Sequence, residues 1–458
     1  MILERNGSIN DMTKRKGSLT EGSVAKGLFL FALPLLGSSL IQQLYNTVDL
    51  MFVGNFLGKS AAAAIGSTTL IISCIIGFFN GMGMGVGVLT AQFYGAGKKD
   101  KIKETVHTAA GLTLLLSLII TAVGWILCPY LLSLLKIPVD IQVPAATYLR
   151  IYLLSILSIV GYNMSAGVLR ALGNSRTPML CQLLGGIVNV VADALFISVF
   201  DMGIAGAGLA TIFSQTMAAV LTIRCVCRLP RDYRLELRRV TIRPGMSKAI
   251  FKIGIPEAIR SMMITFANLM VQTQINVLGV NSMAAYASYT KAEGFLYLPQ
   301  WAMGQANTTF VGQNLGAGNI ERMKKGTRTA IFMVVGITMA VSAVILIFPE
   351  QVFRLFSNDP EIITLSAKIG CTTFGLYFLY GIVEVTAGAI RGSGHSTPPM
   401  VILMINMCGV RLMVLYFLLK YFDSIDKMIL VFPITWICSS LSMLLYYRFG
   451  KWKTVLFS

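Results

Sequence analysis

The amino-acid sequence predicts an all-α integral membrane protein in which twelve transmembrane helices form two six-helix lobes. The 458 residues are 55% hydrophobic and only 13% charged, whereas a soluble protein carries about 25% charged residues. Apolar runs of ~20 residues, the length that crosses a bilayer as a helix, recur from one end of the chain to the other. The second half of the chain repeats motifs of the first half, so each half is expected to form one lobe.

Each apolar run is predicted to form one span, and the spans are numbered 1 to 12 along the chain. They lie near residues 24–53, 61–88, 104–127, 142–163, 179–200, 203–224, 249–278, 283–311, 327–348, 362–385, 399–419 and 428–447. Pro34 and Pro256 lie near the starts of spans 1 and 7. Each proline removes a backbone hydrogen bond, so a local kink is expected there.

Positive charge is distributed unevenly between the loops. Lys and Arg are concentrated in the N-terminal tail, in the loops that follow even-numbered spans and in the C-terminal tail. Because cytoplasmic loops carry such an excess, both termini are predicted to be cytoplasmic, in a multi-pass protein of the cell (plasma) membrane. Topology and contact with anionic lipid therefore account for the net charge of +18, and nucleic-acid binding is not expected.

The predicted organisation has two lobes, a basic linker between them and two cytoplasmic tails. The boundaries are 1–23 for the N-terminal tail, 24–227 for the N-lobe, 228–248 for the linker, 249–447 for the C-lobe and 448–458 for the C-terminal tail. The sequence contains no HExxH motif, no GxSxG motif and no recognisable catalytic triad. Neither enzymatic activity nor a cofactor is therefore expected.

Three pairs of segments repeat, and the two members of each pair are separated by the same interval along the chain. One shared motif would be weak, but three at a single interval indicate a duplication. Since six is an even number of spans, both halves enter the membrane from the same side, and the lobes are expected to be related by a pseudo-two-fold axis along the membrane normal. The pairs are AQFYGAGKKDKIKETVHTA (91–109) with GQNLGAGNIERMKKGTRTA (312–330), AGVLRALGNSRTPM (166–179) with AGAIRGSGHSTPPM (387–400), and NFLGKSAAAAIGS (55–67) with NVLGVNSMAAYAS (276–288).

Carboxylates at membrane depth are the first candidates for function. Asp49 and Asp193 lie in spans 1 and 5, where one charge at mid-bilayer costs about 2.5–3.5 kcal/mol on insertion scales. They share helical faces with other oxygen-bearing side chains. Such faces suit Na⁺ or H⁺, and the alternative is ordinary hydrogen bonding between helices. The faces are Gln42, Tyr45, Asn46 and Asp49 in span 1, Asn189 and Asp193 in span 5, and Thr211 and Gln215 in span 6.

The loop motifs resemble those of the multidrug and toxic compound extrusion (MATE) family. The resemblance covers nearly the whole chain and is carried by QFYGAG (92–97), QNLGAG (313–318), LRALGNSRTP (169–178), IRGSGHSTPP (390–399) and VDLMFVGNFLG (48–58). It implies an antiporter with two six-helix lobes that exports amphipathic, often cationic, organic compounds in exchange for Na⁺ or H⁺. The choice between the two ions stays open.

The resemblance also implies roles for particular residues. One branch of the family has an N-lobe cation site made by an Asp of span 1, an Asn-x-x-x-Asp of span 5 and a Thr of span 6. The residues in those places, which would ligate the ion if it is Na⁺, are Asp49, Asn189, Asp193 and Thr211. Tyr45 lies beside them, and Asn163 at the end of span 4 is expected to join the network.

The duplication predicts where ion coupling is concentrated. The positions of the second half that correspond to Asn189, Asp193 and Thr211 are Val410, Val414 and Phe432. These side chains carry no oxygen that could bind a cation. The C-lobe therefore has the loop motifs without the cluster, and coupling is expected in the N-lobe.

Substrate contacts are expected between the lobes. The candidates are Gln42, Asn46, Gln215, Met82, Tyr297 and Trp301. Methionine adapts to varied shapes and aromatic faces attract organic cations, while the alternative for each residue is helix packing or lipid contact. The glycines of NGMGMGVG (80–87) indicate close approach between helices.

Glu384 in span 10 has two alternative roles: a second titrating site, or an ion pair with Arg411 of span 11. The roles of Glu257 and Glu293 stay open. The main alternative function is a flippase for lipid-linked saccharides, of a related transporter class, which would favour a cationic cavity that meets phosphate. The acidic N-lobe argues against it. The expected partners are organic cations and membrane lipid, and the expected functional unit is a monomer.

Overall fold

The structure is a computed structural model that describes residues 19–135, 137–421 and 424–454. Within these ranges the chain is helical and contains no β-strand, which confirms the all-α prediction. The predicted tails 1–23 and 448–458 lie partly outside the described residues.

Twelve spans follow one another in the described part of the chain. Eight are helices long and apolar enough to cross a membrane: Val24–Leu57, Ser60–Gly95, Lys99–Leu134, Arg176–Val199, Gly203–Cys227, Ile320–Ile347, Thr397–Tyr421 and Ile425–Phe449. Spans 4 and 10 are bent pairs of helices, Val139–Leu154 with Ile156–Ala171 and Pro360–Leu376 with Phe378–Gly392. Spans 7 and 8 are the long helices Pro244–Val277 and Val280–Gly316, which carry more polar side chains. The twelve-helix membrane architecture is as the sequence predicts.

Spans 4 and 10 bend at equivalent places. Span 4 bends by 43° next to Ser155, whose hydroxyl donates to the carbonyl of Tyr152 at 2.6 Å. A hydroxyl bound to the preceding turn in this way competes with the main-chain hydrogen bonds. Span 10 bends by 47° just after a 3₁₀ turn at Phe374–Leu376. Leu376 is the counterpart of Ser155 in the duplication, so the repeat in the sequence is also a repeat in helix shape.

The duplication also appears in how the helices pack. Spans 2 and 4 cross so closely that a Cβ on Gly167 would lie 2.5 Å from the carbonyl oxygen of Gly83. Spans 8 and 10 cross in the same way, because a Cβ on Gly388 would lie 2.5 Å from the carbonyl oxygen of Gly304. In the duplication, Gly304 corresponds to Gly83 and Gly388 corresponds to Gly167. Small residues at such crossings let the backbones meet.

Two other glycines of NGMGMGVG (80–87), Gly81 and Gly85, face span 7. A Cβ on Gly81 would lie 2.5 Å from the carbonyl oxygen of Gly254, and one on Gly85 would lie 2.6 Å from that of Ile250. Close helix approach at this motif is therefore confirmed. The glycines of this motif allow close contact with two different helices, span 4 and span 7.

The described chain forms two compact units. The first unit is Gly37–Ala258, and the second comprises Leu19–Leu36 and the residues from Ile259 onward. The boundaries of these compact units therefore fall inside spans 1 and 7. The lobe boundaries at the ends of the linker 228–248 stay a prediction.

Local packing explains why the start of span 1 belongs to the second unit. The amide of Leu19 donates to the side-chain oxygen of Gln313 at 2.9 Å. Leu28 and Phe31 are buried in the same apolar cluster as Phe310 of span 8. In a bilayer, van der Waals packing and hydrogen bonds between helices hold them together, so these contacts fix the start of span 1.

Candidate functional site

A cavity of about 250 Å³ lies inside the first unit, between residues of spans 1, 2, 4, 5 and 6. The predicted residues that line it are Gln42, Tyr45, Asn46, Asp49, Asn163, Asn189, Thr211 and Gln215. All four members of the span-1 face therefore border the same space as Asn189 of span 5 and Thr211 and Gln215 of span 6. Asp193 is completely buried and is not among the residues that line the cavity.

The carboxylates of Asp49 and Asp193 are neighbours that interact electrostatically. Within the described residues, one oxygen of Asp49 and both oxygens of Asp193 are buried without a hydrogen-bond donor. The side-chain oxygen of Asn189, one turn before Asp193, is likewise buried without a hydrogen-bond donor. Buried polar atoms are nearly always hydrogen-bonded, so four such acceptors in one place require an explanation. A cation or a proton would satisfy them.

Tyr45 organises the polar side of the cavity. Its hydroxyl accepts hydrogen bonds from the amide groups of Gln182 at 3.2 Å and Gln215 at 3.3 Å. The two amides come from spans 5 and 6, so the tyrosine of span 1 links three helices. Gln182 was not singled out in the sequence, although it lies two turns before Asn189 and therefore shares its helical face.

Asn163 and Thr211 use their donors on their own helices. The Asn163 amide donates to the Ile159 carbonyl at 2.9 Å, and the Thr211 hydroxyl donates to the Ala207 carbonyl at 3.1 Å. These bonds use donor hydrogens only, so the side-chain oxygens remain as acceptors at the cavity wall. Neutral oxygens of this kind are ligands for hard cations.

Tyr148 and Tyr152 of span 4 are cavity residues that the sequence analysis missed. Tyr148 lies beside both aspartates and against the hydroxyl of Thr211. The rings of Tyr148 and Tyr152 are 6.2 Å apart, and both pack in an apolar cluster with Val53 and Ile197. Their i, i+4 spacing in an apolar span is the signal that could have identified them. They close one side of the site with apolar rings.

Both aspartates adjoin π-helical turns. The π-helix Ala194–Val199 begins directly after Asp193, and the π-helix Val53–Leu57 begins one turn after Asp49. The two π-helical segments contact each other. A π turn inserts extra backbone into a helix and is frequent at functional sites. Here each π turn changes the helical face on which the residues that follow the carboxylate lie.

In the second unit, one of the two alternatives for Glu384, an ion pair with Arg411, is wrong. Glu384 instead lies between Arg391 at 3.0 Å and Arg260 at 3.5 Å, and all three side chains are buried. Arg391 was missed because span 10 was expected to end near residue 385, whereas its helix continues to Gly392. The carboxylate is therefore held by two guanidinium groups.

Arg411 has other partners. Its guanidinium donates to the side-chain oxygen of Asn268 at 2.6 Å and lies 4.9 Å from the ring centre of Phe432. Phe432 occupies the position that corresponds to Thr211 in the repeat, so an aromatic ring replaces a hydroxyl side chain there. Glu293 accepts a hydrogen bond from the hydroxyl of Tyr377 at 2.9 Å.

Three substrate candidates lie outside the cavity. Met82 is completely buried and packs against Gly254 in the first unit. Tyr297 and Trp301 belong to the second unit, where the Tyr297 ring lies 6.2 Å from that of Tyr380 and Trp301 packs against an apolar cluster. The other three candidates, Gln42, Asn46 and Gln215, line the cavity itself.

Among the described residues, no group of three or more His, Cys, Asp or Glu side chains is placed to hold a metal ion. The cluster around Asp49 offers two carboxylates, and further ligands would have to be amide and hydroxyl oxygens. That donor set fits a hard monovalent cation or a proton as transported cargo.

The long apolar helices, with a carboxylate-bearing polar cavity inside one of the two compact units, define a multi-pass membrane transporter. The MatE family model matches residues 34–195 and again residues 256–417, one stretch in each half of the duplication. The chain belongs to the MATE family of multidrug efflux transporters, which are not enzymes, need no cofactor and export small molecules.

Individual relatives agree with this assignment. The probable multidrug resistance protein YpnP of Bacillus subtilis is 29% identical over 449 residues, which cover 95% of this chain and 97% of YpnP. The FAD transporter of Shewanella oneidensis is 27% identical over 441 residues, with 92% and 94% covered. A solved structure of a multidrug resistance MATE transporter in an outward-facing conformation matches with a TM-score of 0.89 at 23% identity, covering 94% and 97% of the two chains.

Proposed function

We propose that the protein is a secondary active antiporter that exports amphipathic, cationic organic compounds in exchange for H⁺ or Na⁺ by alternating access. The coupling ion binds in the first unit at Asp49 and Asp193, with Asn189, Thr211, Tyr45 and Asn163 around them. If the ion is Na⁺, its ligands are Asp49, Asn189, Asp193 and Thr211. Substrate contacts are proposed at Gln42, Asn46 and Gln215, and also at Met82, Tyr297 and Trp301.

The observation that carries this proposal is the set of buried acceptor oxygens without donors at Asp49, Asn189 and Asp193. Two ionised carboxylates side by side in a membrane repel each other and lose their hydration. A bound proton or cation relieves both costs. The site therefore has a low free energy when an ion is bound and a high free energy when it is empty. An exchanger requires such a difference for the ion that it transports.

Binding of the ion can drive transport only if the two access states bind it unequally. Uptake of the ion lowers the negative charge of the carboxylate pair and weakens its attraction for a cationic substrate. Release to the cytoplasm restores that attraction. Ion and substrate therefore alternate, and the substrate contacts Gln42, Asn46 and Gln215 border the same cavity as Asp49.

The test is gradient-driven efflux from proteoliposomes that contain Asp193→Asn protein. The substitution keeps the side-chain volume and removes the titratable charge, so we expect a folded protein without coupled efflux. Asp201→Asn is the matched control, because Asp201 is exposed in the same unit and its φ of 50° suits Asn. Efflux by Asp193→Asn protein at the rate of the control would refute the proposed role.

A second pair of variants separates Na⁺ from H⁺. Thr211→Val and Asn189→Leu remove neutral oxygens that a metal ion needs but a proton does not. If Na⁺ is the coupling ion, both variants lose ²²Na⁺ binding together with efflux. If H⁺ is the coupling ion, efflux driven by a pH gradient persists in both, and loss of that efflux would contradict proton coupling.

Substrate charge is tested by competition. The lining of the cavity contains Asp49, amides and hydroxyls, and no Lys or Arg occurs among the described residues that form it. A cationic dye should therefore compete for efflux better than neutral or anionic dyes of similar size. One relative is named an FAD transporter, and FAD carries phosphate groups. Preferential efflux of an anionic dye would favour that type of substrate, or the lipid-linked saccharide of the flippase alternative.

The membrane orientation and functional unit remain part of the proposal. Both termini are placed in the cytoplasm of a plasma-membrane protein that acts as a monomer. Single cysteines introduced near each end should react with a membrane-impermeant reagent only after the cells are opened, and their labelling in intact cells would contradict this topology.

A further inference from the structure

The first unit contains a second cavity, an apolar groove of about 310 Å³ that we call the linker groove. It is formed by the start of span 3, the second half of span 4, the end of span 6 and the segment 228–243 that follows span 6. These elements contribute, among others, Ala110, Leu157, Ala219 and Leu237. The groove shares no lining residue with the cavity that contains Asp49, so it is a separate site.

The groove is chemically apolar. Its lining includes no charged residue and no amide side chain, and the few polar members are hydroxyl residues. The Thr113 hydroxyl donates to the Ala109 carbonyl at 2.9 Å, and Ser158 and Thr216 bond to each other at 2.9 Å. Cavities of this kind remain dry and take up apolar ligands. The occupant that fits is a hydrocarbon chain.

The rim of the groove opens on the outer surface of the helices. Leu114, Leu157 and Val220 line the groove and are also exposed, with 56%, 48% and 54% of their surface accessible. These residues belong to membrane-spanning helices, whose outer surface is in contact with lipid. An acyl chain can therefore enter the groove from the bilayer.

Positive charge lies at the end of the groove formed by the linker segment. Leu237 and Val240 line the groove, and the exposed Arg238 lies between them in the chain. Within the described residues Arg238 takes part in no ion pair, whereas Asp232 and Glu236 of this segment are already paired. The six arginines of the segment are Arg228, Arg231, Arg234, Arg238, Arg239 and Arg243.

We infer that the linker groove binds one anionic phospholipid of the cytoplasmic leaflet, with an acyl chain against Ala219 and the phosphate group at Arg238. The bound lipid joins the linker to spans 3 and 6. This inference depends on the predicted orientation of the linker and is independent of the ion-coupling proposal. It therefore succeeds or fails separately from the effect of Asp193→Asn on efflux.

The test uses the full-length protein in nanodiscs that contain phosphatidylglycerol with a photoreactive acyl chain. The expected result is crosslinking concentrated on peptides that contain Leu157 or Ala219. Unlabelled phosphatidylglycerol should compete with it better than phosphatidylcholine does. Because this experiment uses the unsubstituted chain, it does not depend on the folding of any variant. Crosslinks spread evenly over all spans, or equal competition by both lipids, would overturn the inference.

Variants then test the two halves of the site by native mass spectrometry of retained phosphatidylglycerol. Ala219→Phe fills the groove and should abolish retention, whereas Ala122→Phe, at an exposed position of span 3 outside the groove, should not. Arg238→Gln should weaken retention about five-fold, since one arginine near an anionic headgroup contributes about 1 kcal/mol. Arg231→Gln removes the same charge from the same segment. An equal effect of both arginine variants would indicate non-specific attraction and would overturn the assignment of Arg238.

Discussion

Glu384 provides a sharp test of whether a buried carboxylate of this transporter is structural or titrates during transport. The side chain is buried with Arg391 at 3.0 Å and Arg260 at 3.5 Å. Removing one partner of a buried ion pair costs about 3–5 kcal/mol, because the remaining charge loses its compensation. Glu384→Gln keeps the shape of the side chain and one acceptor oxygen for Arg391. We therefore expect the lower value, a loss of about 3 kcal/mol in the free energy of unfolding. That loss corresponds to a change of more than about a hundred-fold in the unfolding equilibrium.

The assay is chemical unfolding in detergent micelles, followed by tryptophan fluorescence, together with efflux from proteoliposomes. Glu321→Gln is the matched control, because Glu321 is 84% exposed and its pair with Lys324 spans one helical turn. A surface pair of this kind contributes about 0–1 kcal/mol. If Glu384→Gln unfolds like the control yet loses coupled efflux, Glu384 titrates in the transport cycle and the structural interpretation is refuted.

Three further predictions concern the first unit. Tyr148→Phe removes a hydroxyl beside the aspartate pair and should weaken ion binding without changing thermal stability; unchanged binding in an equilibrium assay would contradict this. Gly167→Ala should destabilise the protein, because the new Cβ would meet a backbone oxygen at 2.5 Å. Gly66→Ala in an open helical position should be neutral or stabilising by up to ~1 kcal/mol, and equal melting temperatures for the two variants would refute the packing argument. The pKa of Glu236 lies below its ordinary value, chiefly through the hydrogen bond from Lys103. Glu236 therefore anchors the linker at pH values above the ordinary pKa of a glutamate. This anchoring is lost as the pH falls through the lowered pKa of Glu236. Hydrogen exchange of residues 229–243 should accelerate in Glu236→Gln at neutral pH, and identical exchange in both proteins would contradict the anchoring role.

The fold could be predicted far into its details because two signals extend over the whole chain. Long apolar runs admit only helices in a membrane, since every backbone group must be bonded within its own segment. The repeat interval, detected in loop motifs, reappears in the bends of spans 4 and 10. It also relates the crossing at Gly83 and Gly167 to the crossing at Gly304 and Gly388. Duplicated sequences repeat their packing because the same small residues face the same neighbours.

The candidate site was predictable only within each helix. The period of 3.6 residues places Gln42, Tyr45, Asn46 and Asp49 on one face regardless of what lies opposite. Their meeting with Gln182, their enclosure by Tyr148, and the π turns beside both aspartates depend on contacts between spans, which helical periodicity does not encode.

The sequence by itself determined that the protein is helical, crosses the membrane twelve times, contains a duplication and bears its acidic cluster in the first half. Those properties follow from composition and local spacing, which act along one chain segment at a time. The tertiary structure decided that Asp193 is fully buried next to Asp49 and that Glu384 is held by Arg391 and Arg260 and not by Arg411. It also assigned the first half of span 1 to the second unit. These outcomes depend on which side chains from distant segments fill the same space, and only packing in three dimensions selects among the possible partners.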